Sequence, residues 1–286
     1  MQVAQVWRYP IKSLGGERLD ASQVSELGLV GDRSWGIEDV TTGKILTGRR
    51  EPALLLADGR LDDDGAAQVH VDGQVITADA DLSDWLGRPV RLTRASDDSG
   101  GTFEAPADDF DETNSGWMSW SGPHGAFHDS TRTRVSLISM ATLGGEDPRR
   151  FRANLVLAAD GADHAGAADP EASTEDRWVG LSLRVGTVTL NVRKHIGRCV
   201  MVTRPQPGLP RDLEVLKRVN TTRDGVAAIG ALVTQTGQLA VGDTVTPERA
   251  PGVAHLVRPA TSRVVNRAAR QLPRLDRLRR RIPRRT

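Results

Sequence analysis

In the second half of the chain, apolar and polar side chains alternate with a period of two. Leu181, Leu183 and Val185 flank Ser182 and Arg184, and Val188, Leu190 and Val192 alternate with Thr189, Asn191 and Arg193. Alternation places each set on one face of a strand, and Gly186-Thr187 between the runs predicts a hairpin turn. Residues 196–203 predict another strand, with Cys199 inside it. Residues 231–234 and 239–245 predict a last hairpin around Gln235-Thr236-Gly237-Gln238. At the N-terminus, Val3, Gln5, Trp7 and Tyr9 alternate with Ala4, Val6 and Arg8, so both faces are partly apolar. A turn follows at Ser13-Leu14-Gly15-Gly16. Gly28, Gly31, Gly43 and Gly48 then punctuate short extended pieces at a spacing that fits a barrel or sandwich. Helical spacing is confined to short stretches. Leu82, Trp85 and Leu86 share one face between a cap-type Asp79 and a stop at Gly87, and Leu213, Leu216 and Val219 do so within 211–219.

These elements predict a mostly β protein in four parts: an N-terminal module over 1–95, a crossing loop over 96–130, a second β domain over 131–249, and a basic tail over 250–286. The crossing loop is polar and irregular, and a loop of that length in a compact protein is often functional. Its Asp109, Asp111, Thr113 and Asn114 resemble a calcium loop only faintly, because Asn114 stands where the sharp turn requires glycine. His124 and His128 lie four apart, but the flanking glycines and proline argue against a helix that would bring both to one face. A loop histidine without metal is the simpler reading.

Hydrophobic residues make up 38% of the chain and charged residues 26%, which fits a folded globular protein and excludes a disordered one. No basic region followed by an apolar core opens the sequence, no stretch approaches a membrane-spanning length, and there is one cysteine. A cytoplasmic location is the expectation. The net charge of +1 conceals an asymmetry: residues 251–286 carry eleven arginines and one aspartate, giving +10 and leaving −9 on the first 250 residues. The tail's Val265, Ala269, Leu272, Leu275 and Ile282 sit at roughly helical spacing among the arginines. That pattern suits peripheral contact with an anionic membrane surface, and equally a solubilising extension. It has no aromatic residue for base stacking, which argues against nucleic acid.

The one cysteine, Cys199, follows Arg193-Lys194-His195-Ile196-Gly197-Arg198. A single thiol makes no intrachain disulfide and no four-cysteine metal site. Alone it can serve as nucleophile, sulfur carrier or one soft metal ligand, or simply be a buried structural cysteine. Basic residues recur elsewhere at turns. Lys12 and Ser13 precede a glycine turn, Arg33 follows Gly31, and Arg152 and Asn154 lie two apart, on one side of a predicted strand. Each alone is most simply a solvated surface residue. No G-x-G-x-x-G, P-loop, nucleophile elbow or C-x-x-C is present.

Taken together and in order, Trp7-Arg8-Tyr9-Pro10-Ile11-Lys12-Ser13, Gly31-Asp32-Arg33-Ser34-Trp35, Arg150-Phe151-Arg152-Ala153-Asn154 and Gly197-Arg198-Cys199 resemble the molybdenum cofactor sulfurase C-terminal (MOSC) family. More narrowly they resemble its two-part members with an N-terminal β-barrel module, among which are the mitochondrial amidoxime-reducing components. The resemblance covers roughly residues 2–248 and includes a closing Leu239-Ala240-Val241-Gly242-Asp243-Thr244-Val245. It implies a β-barrel MOSC domain with short helices beside a β-rich N-terminal module. It also implies a molybdenum cofactor, with Cys199 as metal ligand and catalytic residue. Lys12, Ser13, Arg33, Arg152 and Asn154 would hold the molybdopterin and its phosphate, with Ser139 as a further contact. The implied activity is reduction of small N-oxygenated substrates such as hydroxylamines or amidoximes. Electrons would come from a separate donor protein, since the chain has no cysteines for an attached ferredoxin. A sulfurtransferase working through a Cys199 persulfide and a non-catalytic molybdopterin carrier are the alternatives. Three departures from the family's usual pattern bear on substrate choice: Ala153 stands where proline is usual, Arg50 where glutamine is common, and no aspartate lies between Thr203 and Gly208.

Overall fold

The computed structural model describes residues 1–108, 114–159 and 174–248. The alternating runs become neighbours in one eight-stranded sheet. Its order from edge to edge is Val245–Glu248, Ser182–Val185, Val188–Gly197, Val226–Gln235, Val135–Ser139, Leu155–Ala158, Gln2–Arg8 and Glu17–Leu19. All neighbours are antiparallel except Val135–Ser139 and Leu155–Ala158, which run parallel. A parallel pair needs a crossover, and this one carries the short helix Met140–Leu143 and the 3-10 turn Pro148–Arg150. The chain's first strand thus lies beside a strand from its middle. Met1–Ala250 forms one compact unit.

The two central strands are buried along their whole length, as strands covered on both faces must be. Val135, Leu137, Leu155 and Leu157 face a core shared with Val3, Val6, Leu183, Val185 and Leu190. Ile138 and Val156 point the other way, toward Phe151, Val202, Val215 and Val219. The last two lie four apart on the helix Leu213–Arg223, which covers that face. Asp212 caps this helix by accepting from the Glu214 amide. A further core of Ile11, Leu14, Ile37, Leu54, Val69 and Val90 fills the N-terminal region between two three-stranded sheets.

Several predicted elements are confirmed. The hairpin Ser182–Val185 and Val188–Gly197 turns at Gly186, where φ is +58° and a Cβ would meet the Gln238 carbonyl at 2.4 Å. The helix Asp79–Leu86 ends at Gly87 in the left-handed conformation, although its N-cap is Ala78; the Asp79 carboxylate instead accepts from the Leu92 amide at 2.9 Å.

Other expectations are corrected. The hairpin over 231–245 does not form. Val226–Gln235 already has a neighbour on each edge, so Gly237–Ala240 leaves it to pair with Ala21–Ser25, and Val245–Glu248 pairs with Ser182–Val185. Residues 196–203 are not a strand: pairing stops at Gly197 and Val200–Thr203 is a 3-10 turn. Arg152 and Asn154 precede their strand, which begins at Leu155. The stretch 96–130 is not wholly loop, because Thr102–Pro106 and Trp117–Ser121 pair as antiparallel strands. Asp109, Asp111 and Thr113 lie outside the described residues, as does the tail over 250–286.

Leu137 lies at the centre of the large sheet and is fully buried. Leu137→Ala should destabilise the fold by about 2–5 kcal/mol, the usual cost of a core leucine cavity. Denaturant unfolding of the two proteins measures this.

Candidate functional site

Phe151, Ile196 and Val202 of the second core border a cavity of about 370 Å³, within the range of small-molecule and cofactor sites. The structure brings Lys12, Ser13, Arg33, Arg152, Asn154 and Cys199 together on its wall, although they are up to 187 positions apart in the chain. Eight lysine or arginine side chains and two carboxylates line it.

Local backbone explains how these residues reach one place. Ser13, Arg33 and Arg152 have φ of +70°, +51° and +53°. Non-glycine residues rarely adopt this region, and such conformations cluster at functional sites. Arg33 donates through Nη1 to Asp32 and, at 3.3 Å, to Asn154 Oδ1, and through Nη2 to the Arg152 carbonyl at 3.1 Å. Arg152 donates to the Leu14 carbonyl. Both guanidiniums lie over the Tyr9 ring, at 5.0 and 4.4 Å from its centroid. Burial lowers the Arg152 pKa to about 10, with the Arg33 charge acting in the same direction, so it stays cationic at neutral pH. Burial raises the Tyr9 phenol to about 12, and its hydroxyl has no hydrogen-bond partner among the described residues.

Lys12 is 5% exposed. Its ammonium donates to the Phe127 carbonyl at 3.0 Å and to Asp129 Oδ1 at 2.6 Å, and lies 3.9 Å from the centroid of Phe103. Burial holds its pKa below the usual lysine value, against the opposing pull of Asp129. Ser13 Oγ accepts from the Gly48 amide at 3.0 Å and keeps its own proton to donate. Asn154 is fully engaged: Oδ1 also accepts from the Ser136 amide and hydroxyl, and Nδ2 donates to the Trp7 carbonyl at 3.2 Å.

Cys199 stands between the end of the long strand and the 3-10 turn, free and partly exposed to the cavity. Its neighbour Arg198 donates through Nε to Ala227 at 2.7 Å and through Nη1 to Phe151 at 2.8 Å, while Nη2 is buried without a partner. Arg150, 6% exposed, holds the following turn by donating to the carbonyls of Val202, Arg204 and Pro210. Lys12, Arg33 and Arg150 each have a carboxylate within 4 Å, whereas Arg134, Arg152, Lys194 and Arg198 have none among the described residues. Partly buried cations without counterions are costly, which suits the cavity to an anion.

Ser139 is the exception among the expected site residues. It is fully buried away from the cavity and caps the helix Met140–Leu143, its Oγ accepting from the Thr142 amide, while its own amide donates to Glu175. The sequence reading missed Asp129, Ser130, Thr133, Arg134 and Lys194, all on the cavity wall. The dense run of polar and charged residues over 129–134 is the signal for the first four, and the basic run before Cys199 is the signal for Lys194. His124 and His128 do not lie on a helix: His124 is exposed, and His128 is buried with Nε2 donating to the Leu27 carbonyl at 3.1 Å.

The departures also find places. Ala153 is fully buried in the second core. Arg50 lies over the Trp117 ring at 4.4 Å and 3.8 Å from Glu104. The turn after Thr203 closes without an aspartate through paired backbone bonds between Gln206 and Leu209.

The MOSC N-terminal beta barrel domain matches residues 1–113 and the MOSC domain matches residues 126–246. The chain therefore belongs to the MOSC family, in its two-part form. Over 68 residues it is 41% identical to mitochondrial amidoxime reducing component 2 of Bos taurus, a match covering 22% of this chain and 19% of that protein. A crystal structure of the YUAD protein from Bacillus subtilis aligns over 85% of this chain and 93% of that one, at 12% identity and a TM-score of 0.40, too slight a likeness to carry an argument.

Two outcomes follow from this geometry. Ser139→Ala should lower stability by about 0.5–2 kcal/mol through loss of the cap and leave ligand retention in the cavity unchanged; thermal melts and ligand analysis of the purified protein check both. For His128, burial, with the charge of Arg33, lowers the pKa from 6.5 to about 4. A depressed folded pKa favours the neutral form. The stability it contributes is therefore full above about pH 6.5 and lost as pH falls toward 4, on the order of 3 kcal/mol. Unfolding measured across that window should show the slope in the wild type and a flatter one in His128→Gln.

Proposed function

We propose that this protein is a molybdenum-cofactor-dependent reductase of small N-hydroxylated compounds, supplied with electrons by a separate protein. The observation that carries the reading is a free thiol on the wall of a cavity whose cations exceed its carboxylates. The cavity fits the group on its own chemistry. It combines orphaned guanidinium donors at Arg198, a guanidinium pair over Tyr9, and one soft ligand. Among the described residues, no three histidine, cysteine or carboxylate side chains gather to hold a metal ion, so a metal at Cys199 needs ligands from an organic cofactor. The amidoxime-reducing relative supports the choice of substrate class, through a match to part of its length.

In this reading Cys199 would supply the thiolate ligand to molybdenum, and Arg33 and Arg152 would hold the pterin and its phosphate by charge-assisted bonds. Ser13 donates its hydroxyl, Lys12 adds a positive field, and Asn154 holds Arg33 in place. The bound cofactor supplies the redox chemistry that no side chain here provides. Reduction of an N–OH group consumes a pair of electrons and a pair of protons, breaks the N–O bond and releases water. His128 is not the proton donor near neutral pH, since it is already deprotonated and its remaining N–H faces Leu27.

No helix among the described residues is long and apolar enough to cross a membrane. Contact of the basic tail with an anionic membrane surface remains part of this proposal, with loss of vesicle binding on removal of residues 251–286 as its test.

Cys199→Ser is the direct test. Serine is a harder and far less acidic ligand. The variant should fold, keep pterin through the arginines, change the molybdenum spectrum and lose essentially all reduction of hydroxylamine-type substrates. Unchanged turnover per bound molybdenum with a lowered melting temperature would make Cys199 a structural cysteine. A persulfide on wild-type Cys199 without molybdenum would point to sulfur transfer. Cofactor without turnover in the wild type would point to a carrier.

A further inference from the structure

Part of the cavity wall is not used by this reading. It comes from the segment leading into Val135–Ser139 and from the strand Val188–Gly197. Val188, Leu190 and Val192 of that strand point into the first core. Strict alternation would send Lys194 there as well. Instead, a bulge sets Val192 opposite Ala231 and Lys194 opposite the adjacent Gly230, which carries Lys194 to the other face and onto the cavity. Gly230 itself makes room: a Cβ there would lie 2.4 Å from Thr133 Oγ1. Thr133 is thus packed across the residue that pairs with Lys194, and Arg134, next in the chain, donates its backbone amide to Ala231 at 2.8 Å.

All three residues line the cavity. Thr133 Oγ1 and Arg134 Nη1 are buried and make no hydrogen bond. Arg134 Nη2 reaches only the His124 carbonyl, at 3.3 Å. Lys194 has neither a hydrogen bond nor an ion pair among the described residues, and burial together with the nearby charge of Arg132 makes its ammonium form harder to sustain. The carboxylate whose charge it feels, Asp129, is bonded to Lys12. Two cations without a carboxylate partner and a hydroxyl without a hydrogen bond, on one wall, define an anion subsite that no group among the described residues satisfies.

We propose that Thr133, Arg134 and Lys194 bind a carboxylate or phosphate group of the substrate, which makes the substrates N-hydroxylated compounds that carry an acid. This rests on the reductase reading for the reacting end of the molecule. The same chemistry would also suit the phosphate of the cofactor, and the two sources are separable by experiment.

The test uses the full chain made in a cofactor-competent host, with benzamidoxime and 4-carboxybenzamidoxime as probes. Affinity is measured by calorimetry without reductant, and molybdenum and pterin are quantified in the same samples. The wild type should bind the carboxylated probe at least about tenfold more tightly, as a charge-assisted contact implies, and the preference should shrink as salt is raised. Lys194→Gln and Arg134→Gln should each bring the two affinities close together at unchanged cofactor content, and Lys194→Arg should retain most of the preference. Equal affinities in the wild type, or a preference that survives both glutamine variants, would overturn the proposal. So would loss of cofactor in those variants, which would assign the cations to the cofactor. Turnover separates this from the broader reading. A protein that prefers the acid but reduces neither probe keeps the subsite and loses the reductase; one that binds and reduces both equally keeps the reductase and loses the subsite.

Discussion

The amide of Asn154 ties the site to the sheet. Its oxygen accepts from the Ser136 amide, the Ser136 hydroxyl and Arg33, and its nitrogen donates to the Trp7 carbonyl. Four segments distant in sequence meet at this one buried side chain, which is 1% exposed. An amide offers donors and an acceptor on a planar frame, so it can satisfy strands on either side and still fix a guanidinium. Asp32 completes the knot by accepting from the Tyr9 amide at 2.8 Å while pairing with Arg33. If this knot were undone, the left-handed turns at Arg33 and Arg152 would lose the contacts that hold them.

Charge is the second constraint. The protein places two of its four lysines and six arginines around one cavity and leaves several without a carboxylate among the described residues. Such a site is expensive in the absence of a ligand, and the surrounding cores meet that cost. Tyr9, Phe103 and Phe151 supply aromatic faces for Arg33, Arg152, Lys12 and Arg198, which stabilises cations without neutralising them. The site therefore keeps its positive field available for an incoming anion.

The sequence and the structure divide the explanation unevenly. The period-two runs over 181–193 predicted their hairpin because both the alternation and the Gly186 turn are local. The helices beginning at Asp79 and Leu213 were legible for the same reason. The last hairpin was not, because Val226–Gln235 is claimed on both edges by strands distant in sequence, and pattern alone says nothing about which edge is free. The pair of strands within 96–130 was hidden by its polar surroundings, although Trp117, Met118 and Trp120 mark one of them.

For the site, the order of four short basic motifs singles out Lys12, Ser13, Arg33, Arg152, Asn154 and Cys199 as candidates, and the structure places all of them on one cavity wall. A left-handed turn before the strand, not alternation within one, sets Arg152 in place. Ser139, a cofactor contact only by what the resemblance implies, is instead a helix cap. Lys194 was visible only as a neighbour of Cys199. Residue types and local turns determine which side chains can carry charge or thiol chemistry and which short elements form. Strand pairing, bulges and burial decide which of those side chains share a cavity, because they depend on partners that the local sequence does not contain.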